Sequence, residues 1–329
     1  MTANVTTWLV ANKYLSGIIC FMIKYYLRTL KDAELKEVAE FRSGVWVSVV
    51  EPSPQELEAL AERFKLDVDV VSDALDFYEV PRLEKEAGVT YFFTRYPVKE
   101  PVQGNTTAPI LVVVAENFVM TVSLYEVPQF KQVFSSSSTV YTTQKAKFFI
   151  KIMSIFTTSF DKELRRYQKA VHRDQIRLRK ISPRDIERLV SYETSLNSIV
   201  DTLMPTNLSL QQITNGGSTI KFFQEDLEDM RDLAIDNSQV VNSARSVLKT
   251  IQNIRSAAEA IMTSRLNNSL SVLTVLTILL TIPLVITSMY GMNVALPIQD
   301  EPNAFLVILA INALILIGLT ILFKKKDWM

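Results

Sequence analysis

The sequence predicts an α+β domain on the cytoplasmic side of a membrane, followed by a long stalk helix and a two-helix transmembrane hairpin. Three observations predict it. No charged side chain occurs from Leu266 to Gln299, nor from Pro302 to Phe323. Each stretch holds about 20 mostly apolar residues, Leu270–Met289 and Ala304–Phe323, the length a helix needs to cross a hydrocarbon core. From Thr219 to Met289 there is no glycine and a single proline, Pro283, so about seventy residues can run as one helix of roughly 100 Å. Before Leu124, by contrast, short β-branched and aromatic runs alternate with turn residues.

Taken in order, residues 1–21 are expected to be an N-terminal extension, disordered or preceding the natural start. Trp8–Tyr26 is fairly apolar, but Lys13 and Lys24 interrupt it and no small-residue cleavage site follows. Met22–Thr29 opens the first strand. Val45–Val50 is a β-branched run ended by Pro52. Ser53, with Glu56 three residues on, forms the capping-box pattern that starts a helix over Leu57 and Leu60. Asp67 caps a second helix reaching about Phe77. Strands are expected at Pro81–Glu86, Val89–Val98, Pro109–Ala115 and Phe118–Leu124, the last two joined by a Glu116-Asn117 turn.

Beyond Glu126 the pattern turns helical. Helices are expected over Lys145–Ile181 and over Arg184–Met204, the second opened by Ser182-Pro183. Asn215-Gly216-Gly217-Ser218 is the clearest break before the stalk. In the stalk, Leu227, Met230, Leu233, Val240, Val241, Val247, Leu248, Ile251, Ile254, Ala258 and Ile261 recur at spacings that suit packing against neighbouring helices. The expected organisation is therefore an extension over 1–21, a cytoplasmic α/β domain over 22–125 and a cytoplasmic helical region over 126–218. A stalk helix over 219–268 and a first span over 269–290 follow. An outer loop over 291–303, a second span over 304–323 and a basic tail over 324–329 complete the chain.

Composition narrows the function. Lysine plus arginine equal aspartate plus glutamate at 35 each, and no basic stripe interleaved with aromatics occurs, which argues against nucleic acid as a partner. One cysteine, Cys20, excludes an internal disulfide, and with one histidine, His172, a closed His/Cys zinc site within one chain is excluded too. There is no P-loop, dinucleotide fingerprint or nucleophile elbow, and His172 lies in a charged helical run, so the chain does not read as an enzyme. Arg255 and Arg265 precede the first span and Lys324-Lys325-Lys326 follow the second, whereas the connecting loop has no basic residue. The positive-inside rule places both termini in the cytoplasm.

Two helices enclose no pore, so conduction requires several copies around an axis. The first span offers a lining: alternating fours and threes from Ser288 give Leu284, Thr281, Thr277, Thr274, Leu270 and Asn267. Five of these seven positions carry a hydroxyl or amide, and the two leucines form apolar levels. Ser and Thr in membrane helices also bond back to their own backbone or join helices together, so the stripe admits that reading as well. No carboxylate lies on it. Neutral oxygens suit a hard cation that keeps its water, Mg²⁺ above all. Asn293 at the outer mouth is the first candidate ligand for metal-bound water, and Asp300 and Glu301 beside it would concentrate cations.

Tyr290-Gly291-Met292-Asn293, at the outer end of the first of two C-terminal spans, resembles the signature of the CorA family of divalent-cation transporters. The resemblance extends through Arg265-Leu266-Asn267, Leu273-Thr274, Pro283 and Lys324-Lys325-Lys326-Asp327-Trp328. It implies a homopentameric funnel with the long helix continuing into the pore. It also implies passage of Mg²⁺, with Co²⁺ and Ni²⁺, without ATP or an organic cofactor, in the lipid bilayer of the inner membrane. Tyr290, Gly291, Met292 and Asn293 carry over as the selectivity motif, and Asn267 and Ser288 as pore-lining positions. Asp232 falls where the family keeps a stalk carboxylate that binds regulatory Mg²⁺. Asp229 and Asp236 belong to the same cluster, with Glu225, Asp226 and Glu228 around them, and a partner carboxylate is expected from a neighbour near Glu100. Val294, where many members have an aromatic, and the polar Thr277 and Thr281 depart from the family pattern. A zinc transporter of the same family and a non-conducting membrane-anchored scaffold or sensor are the alternatives.

Overall fold

The structure, a computed structural model, describes residues 23–102, 105–134, 140–176, 182–294, 296–298 and 302–326. The expectations for residues 1–21, for Asp300 and Glu301 and for the Glu100 side chain lie outside what is described.

The first compact unit runs to Ile176 and from Ser182 to Gln252. Its centre is a seven-stranded mixed sheet of β1 (Ile23–Leu27), β2 (Lys36–Val38), β3 (Val45–Val50), β4 (Arg82–Glu86), β5 (Val89–Val102), β6 (Asn105–Val114) and β7 (Phe118–Ser123). The order is β2-β1-β3-β7-β6-β5-β4, and only β3 and β7 pair in parallel. That one parallel pair requires a long crossover, supplied by everything between Val50 and Phe118. Ala87 and Gly88 both take positive φ, 48° and 82°, which makes the tight turn joining β4 to β5.

Both faces of the sheet are covered, so the central strands are buried on both sides rather than alternating. On one face Val45, Val47 and Val49 pack with Leu57 and Leu60 of α1 (Pro54–Phe64) and Val71 of α2 (Val68–Ser72). Helix α1 starts as its sequence dictates: Ser53 Oγ accepts the Glu56 N–H and Glu56 accepts the Ser53 N–H at 2.8 Å. Asp67 likewise accepts the Val70 N–H at 3.0 Å. The helix it opens stops at Ser72 and passes into a 3₁₀ turn, Asp73–Leu75, short of the expected Phe77. The backbone there turns back toward β4, where Arg82 gathers Asp73, Glu79 and Glu84.

On the other face Trp46 anchors an aromatic cluster, with ring centroids 5.0 Å from Phe130 and 5.4 Å from Phe148. Its indole N–H is satisfied by Thr121 Oγ1 at 3.0 Å. Phe148, Phe149 and Ile152 belong to α3 (Lys145–Ile176), which lies on this face beside α4 (Pro183–Thr214). Helix α4 runs ten residues beyond the expected Met204, through Pro205. A proline inside a helix costs about 3 kcal/mol, but Leu203, Thr206, Leu210 and Ile213 are buried on the sheet side, and that packing outweighs it.

The long helix α5 spans Gln224–Tyr290 without interruption, about 100 Å at 1.5 Å per residue. It begins five residues after the expected Thr219. Thr219 N–H bonds Thr90 Oγ1 at 2.9 Å, which ties residues 219–223 to the sheet, and the Phe223 N–H is taken by Asp226. Buried positions 226, 230, 233, 237, 240, 244, 247, 251, 254 and 258 recur every three or four residues along it. Thr157 of α3 and Asn237 of α5 meet within this row at 2.7 Å.

The second unit contains the rest of α5 from Asn253 and the helix α6 (Ala304–Lys325). Both α5 and α6 contain segments long and apolar enough to cross a membrane, with mean hydropathies of 2.4 and 2.8. In α6 the sheltered residues are Ala304, Ile308, Asn312, Ile315, Leu316, Leu319 and Phe323, a stripe on an otherwise exposed apolar cylinder.

Candidate functional site

The seven residues expected to face a pore, Asn267, Leu270, Thr274, Thr277, Thr281, Leu284 and Ser288, are all exposed. They lie between about 80° and 180° around the helix from Val275, the one buried residue of the segment. Ser271, Ile278, Ile282 and Ile286 flank Val275 and are half-buried. The hairpin thus uses one side of α5 for packing and leaves the hydroxyl-bearing side open.

Two of the hydroxyls on that side are oriented by their own backbone. Thr274 Oγ1 donates to the Leu270 carbonyl at 2.8 Å, and Thr277 Oγ1 to the Leu273 carbonyl at 2.9 Å. Back-bonding of this kind was the alternative to a lining in the sequence. The two roles are compatible: with its hydrogen spent on the backbone, each oxygen presents only lone pairs outward. An oxygen held in this way can accept a hydrogen bond from the outside but cannot donate one.

Tyr290-Gly291-Met292-Asn293 closes α5. The Gly291 N–H is shared between the carbonyls of Thr287 at 3.2 Å and Ser288 at 3.1 Å, and the Met292 N–H reaches Met289 O at 3.2 Å. Tyr290 Oη bonds the Pro297 carbonyl at 3.2 Å, which ties the following loop back to the helix end. Asn293 then stands exposed, one turn past the last helical residue.

In the first unit, Asp229, Asp232 and Asp236 fall on one exposed face of α5 and line a cavity of about 600 Å³. Lys147 and Lys151 of α3 line it too. Sequence reasoning missed these lysines: their i, i+4 spacing is visible, but which acids they oppose is a tertiary fact. Asp226 leaves the expected acidic cluster. It is 1% exposed and caps α5 at Phe223. Among the described residues no three acidic, histidine or cysteine side chains converge closely enough to hold a metal ion. His172 is exposed on α3, as its charged surroundings predict.

A mixed-sheet unit whose last helix runs on into a membrane-length apolar segment, with Gly-Met-Asn at its end and a second apolar helix after it, has the layout of an integral membrane protein. Residues 42–325 match the family described as CorA-like Mg²⁺ transporter protein. The chain belongs to that family, one of transporters and not of enzymes. It is 23% identical over 308 residues to the cobalt/magnesium transport protein CorA of Methanocaldococcus jannaschii, covering 86% of this chain and 91% of that protein. The complete structure of the CorA magnesium transporter from the same organism superposes with a TM-score of 0.77 at 17% identity, over 94% of this chain and 100% of that one. The cytoplasmic domain of ZntB from Vibrio parahaemolyticus superposes with a TM-score of 0.61 at 9% identity, over 74% of this chain and 99% of that domain.

Proposed function

We propose that the chain forms a homopentameric Mg²⁺ channel of the cell membrane, with α5 of each copy facing a common axis and both termini in the cytoplasm. Uptake runs inward, with Co²⁺ and Ni²⁺ sharing the path. A membrane potential, negative inside, supplies about 4.6 kcal/mol per 100 mV for a divalent cation, so no ATP is required. The observation that carries this reading is the face Asn267 to Ser288: exposed, uncharged and bearing oriented oxygens, on the side of α5 away from Val275.

Five copies of Asn293 would offer amide oxygens to the water shell of an arriving ion. Mg²⁺ releases that shell reluctantly, so recognition through water selects it over ions that bind protein ligands directly. Asp300 and Glu301 in the same loop would raise the local cation concentration. The leucines at 270 and 284 would form apolar rings that stop conduction when they close and dewet.

Closure would be set by cytoplasmic Mg²⁺. Each chain contributes the half-site of Asp229, Asp232 and Asp236, and a carboxylate of a neighbour would complete it. Bound Mg²⁺ would then bridge subunits in the closed ring, and its loss would leave facing carboxylates repelling each other, shifting the population towards open forms.

Zn²⁺ transport is the second reading, supported by the fold shared with the ZntB cytoplasmic domain. A non-conducting scaffold has no use for an exposed hydroxyl face in the membrane. The deciding experiment is uptake into liposomes holding the purified chain, with Mg²⁺ or Zn²⁺ outside and a potential negative inside. Mg²⁺ uptake that excess Zn²⁺ does not abolish supports the channel proposed. Zn²⁺ flux that survives excess Mg²⁺ supports the second reading, and no flux of either ion supports the scaffold.

A further inference from the structure

A cavity of about 820 Å³ in the first unit adjoins the acidic one, with Gln144 and Lys147 in both walls, and lies between the strand ends at Gly88 and Val114–Asn117 and the starts of two helices. That volume falls in the range of small-molecule sites, about 300–1,000 Å³. Two helix N-termini open into it. Gln144 to Lys147 begin the 32-residue α3, and Phe223 and Asp226 begin the 67-residue α5. Phe148 N–H bonds Gln144 O, so the N–H groups of Lys145, Ala146 and Lys147 precede the first intrahelical bond. Their partial positive charge adds to that of α5.

Three ammonium groups share this wall, Lys145, Lys147 and Lys221, of which Lys147 is paired with Glu225 at 3.5 Å. Lys145 Nζ is held over the turn after β6 by the carbonyls of Ala115, at 3.2 Å, and Glu116. Burial lowers its pKa, Glu116 raises it, and the charge of Lys221 lowers it further, so the two lysines repel across the cavity. The acids present are Glu116 and Asp226. Asp226 is the unusual one. One of its oxygens accepts the Phe223 N–H at 3.0 Å, while Oδ1 is buried and has no hydrogen-bond partner among the described residues. A buried carboxylate oxygen without a donor is costly, of order 1–3 kcal/mol or more. The cavity therefore asks for two things at once, negative charge at the lysines and helix ends and a hydrogen-bond donor at Asp226.

We propose that this cavity binds a small phosphorylated molecule that also carries a hydroxyl or amine donor, the chemistry of a nucleoside diphosphate. The phosphates would take the N–H groups of α3 and the ammonium groups of Lys145 and Lys221, and a hydroxyl or amine would reach Asp226. Because the cavity adjoins the N-terminal ends of both α3 and α5, occupancy would stiffen the base of the long helix.

The test uses the full-length chain in detergent with EDTA, so that Mg²⁺ cannot bridge phosphate to the carboxylates elsewhere. The probes are ADP and inorganic phosphate, read by equilibrium dialysis and by amide hydrogen exchange. Expected are saturable ADP binding below about 1 mM, phosphate binding weaker by about tenfold or more, and protection of amides 144–147 and 224–226. Lys221→Ala weakens ADP by about tenfold, while Lys131→Ala, which alters an exposed lysine outside the cavity, leaves it unchanged. No saturable ADP binding overturns the proposal, as does phosphate binding as tightly as ADP, or Lys221→Ala behaving like Lys131→Ala.

Discussion

Thr274 donates its hydroxyl hydrogen to the carbonyl oxygen of Leu270 at 2.8 Å, and both residues stand on the same exposed face of α5. The bond fixes where the threonine oxygen points without consuming its acceptor capacity. Replacing it tests whether that oxygen matters to a passing ion. Thr274→Ser keeps an oriented oxygen and is expected to conduct like the parent. Thr274→Val keeps shape and removes the oxygen from every copy in the ring; at about 1 kcal/mol for a single bond to the ion's water, the loss should slow Mg²⁺ flux at least about fivefold. The check is initial uptake rate in liposomes at matched protein density. Equal rates for the Val and Ser variants would make the back-bond purely structural.

Asp232 lies with Asp229 and Asp236 on the wall of one cavity. Under the proposed regulation, Asp232→Lys removes a ligand oxygen and places a cation there instead. The internal Mg²⁺ concentration that half-inhibits transport should rise about tenfold or more. An unchanged half-inhibitory concentration would remove Asp232 from the sensor.

Lys147 and Lys151 share that cavity and compete electrostatically with any metal bound to it. Lys151→Ala should therefore act in the opposite direction, lowering the half-inhibitory Mg²⁺ concentration by about two- to fivefold, with a larger effect at low ionic strength. A shift upward would contradict the electrostatic account.

The capping box at Ser53 carries a purely structural expectation. Ser53→Ala leaves the Glu56 N–H without its side-chain acceptor and should destabilise α1 by about 1 kcal/mol. Hydrogen exchange at Leu57 and Leu60 of the full chain reports it, and those amides should exchange about fivefold faster. Mg²⁺ transport is expected to stay unchanged.

What could be read from the sequence were features set by local chemistry. Ser53 and Glu56, Asp67, the β-branched run Val45–Val50 and the uncharged spans each declare themselves within a few residues. What could not be read depends on contacts far along the chain. Pro205 looks like a helix end until the burial of Leu210 and Ile213 is known. The start of α5 moves to Gln224 because of Thr90, 129 residues before Thr219. Asp226 reads as one more acid in a charged run, and only its place in the buried row every three or four residues along α5 separates it from Asp229 and Asp232. The stripe from Asn267 to Ser288 was legible as a periodicity, since a helix face follows from spacing alone. The matching of Lys147 and Lys151 to the acids of α5 was not, because it joins two helices whose registers no local signal sets.

In the proposed channel Asn293, exposed just past the closing turn of α5, selects the ion that enters. The most direct measurement is Mg²⁺ uptake into liposomes with low internal Mg²⁺, comparing the parent chain with Asn293→Ala. Uptake by the parent and a loss of about a hundredfold or more in the variant are expected, since every copy in the ring loses its ligand for the hydrated ion at once. Uptake by Asn293→Ala at the parent's rate would contradict that role.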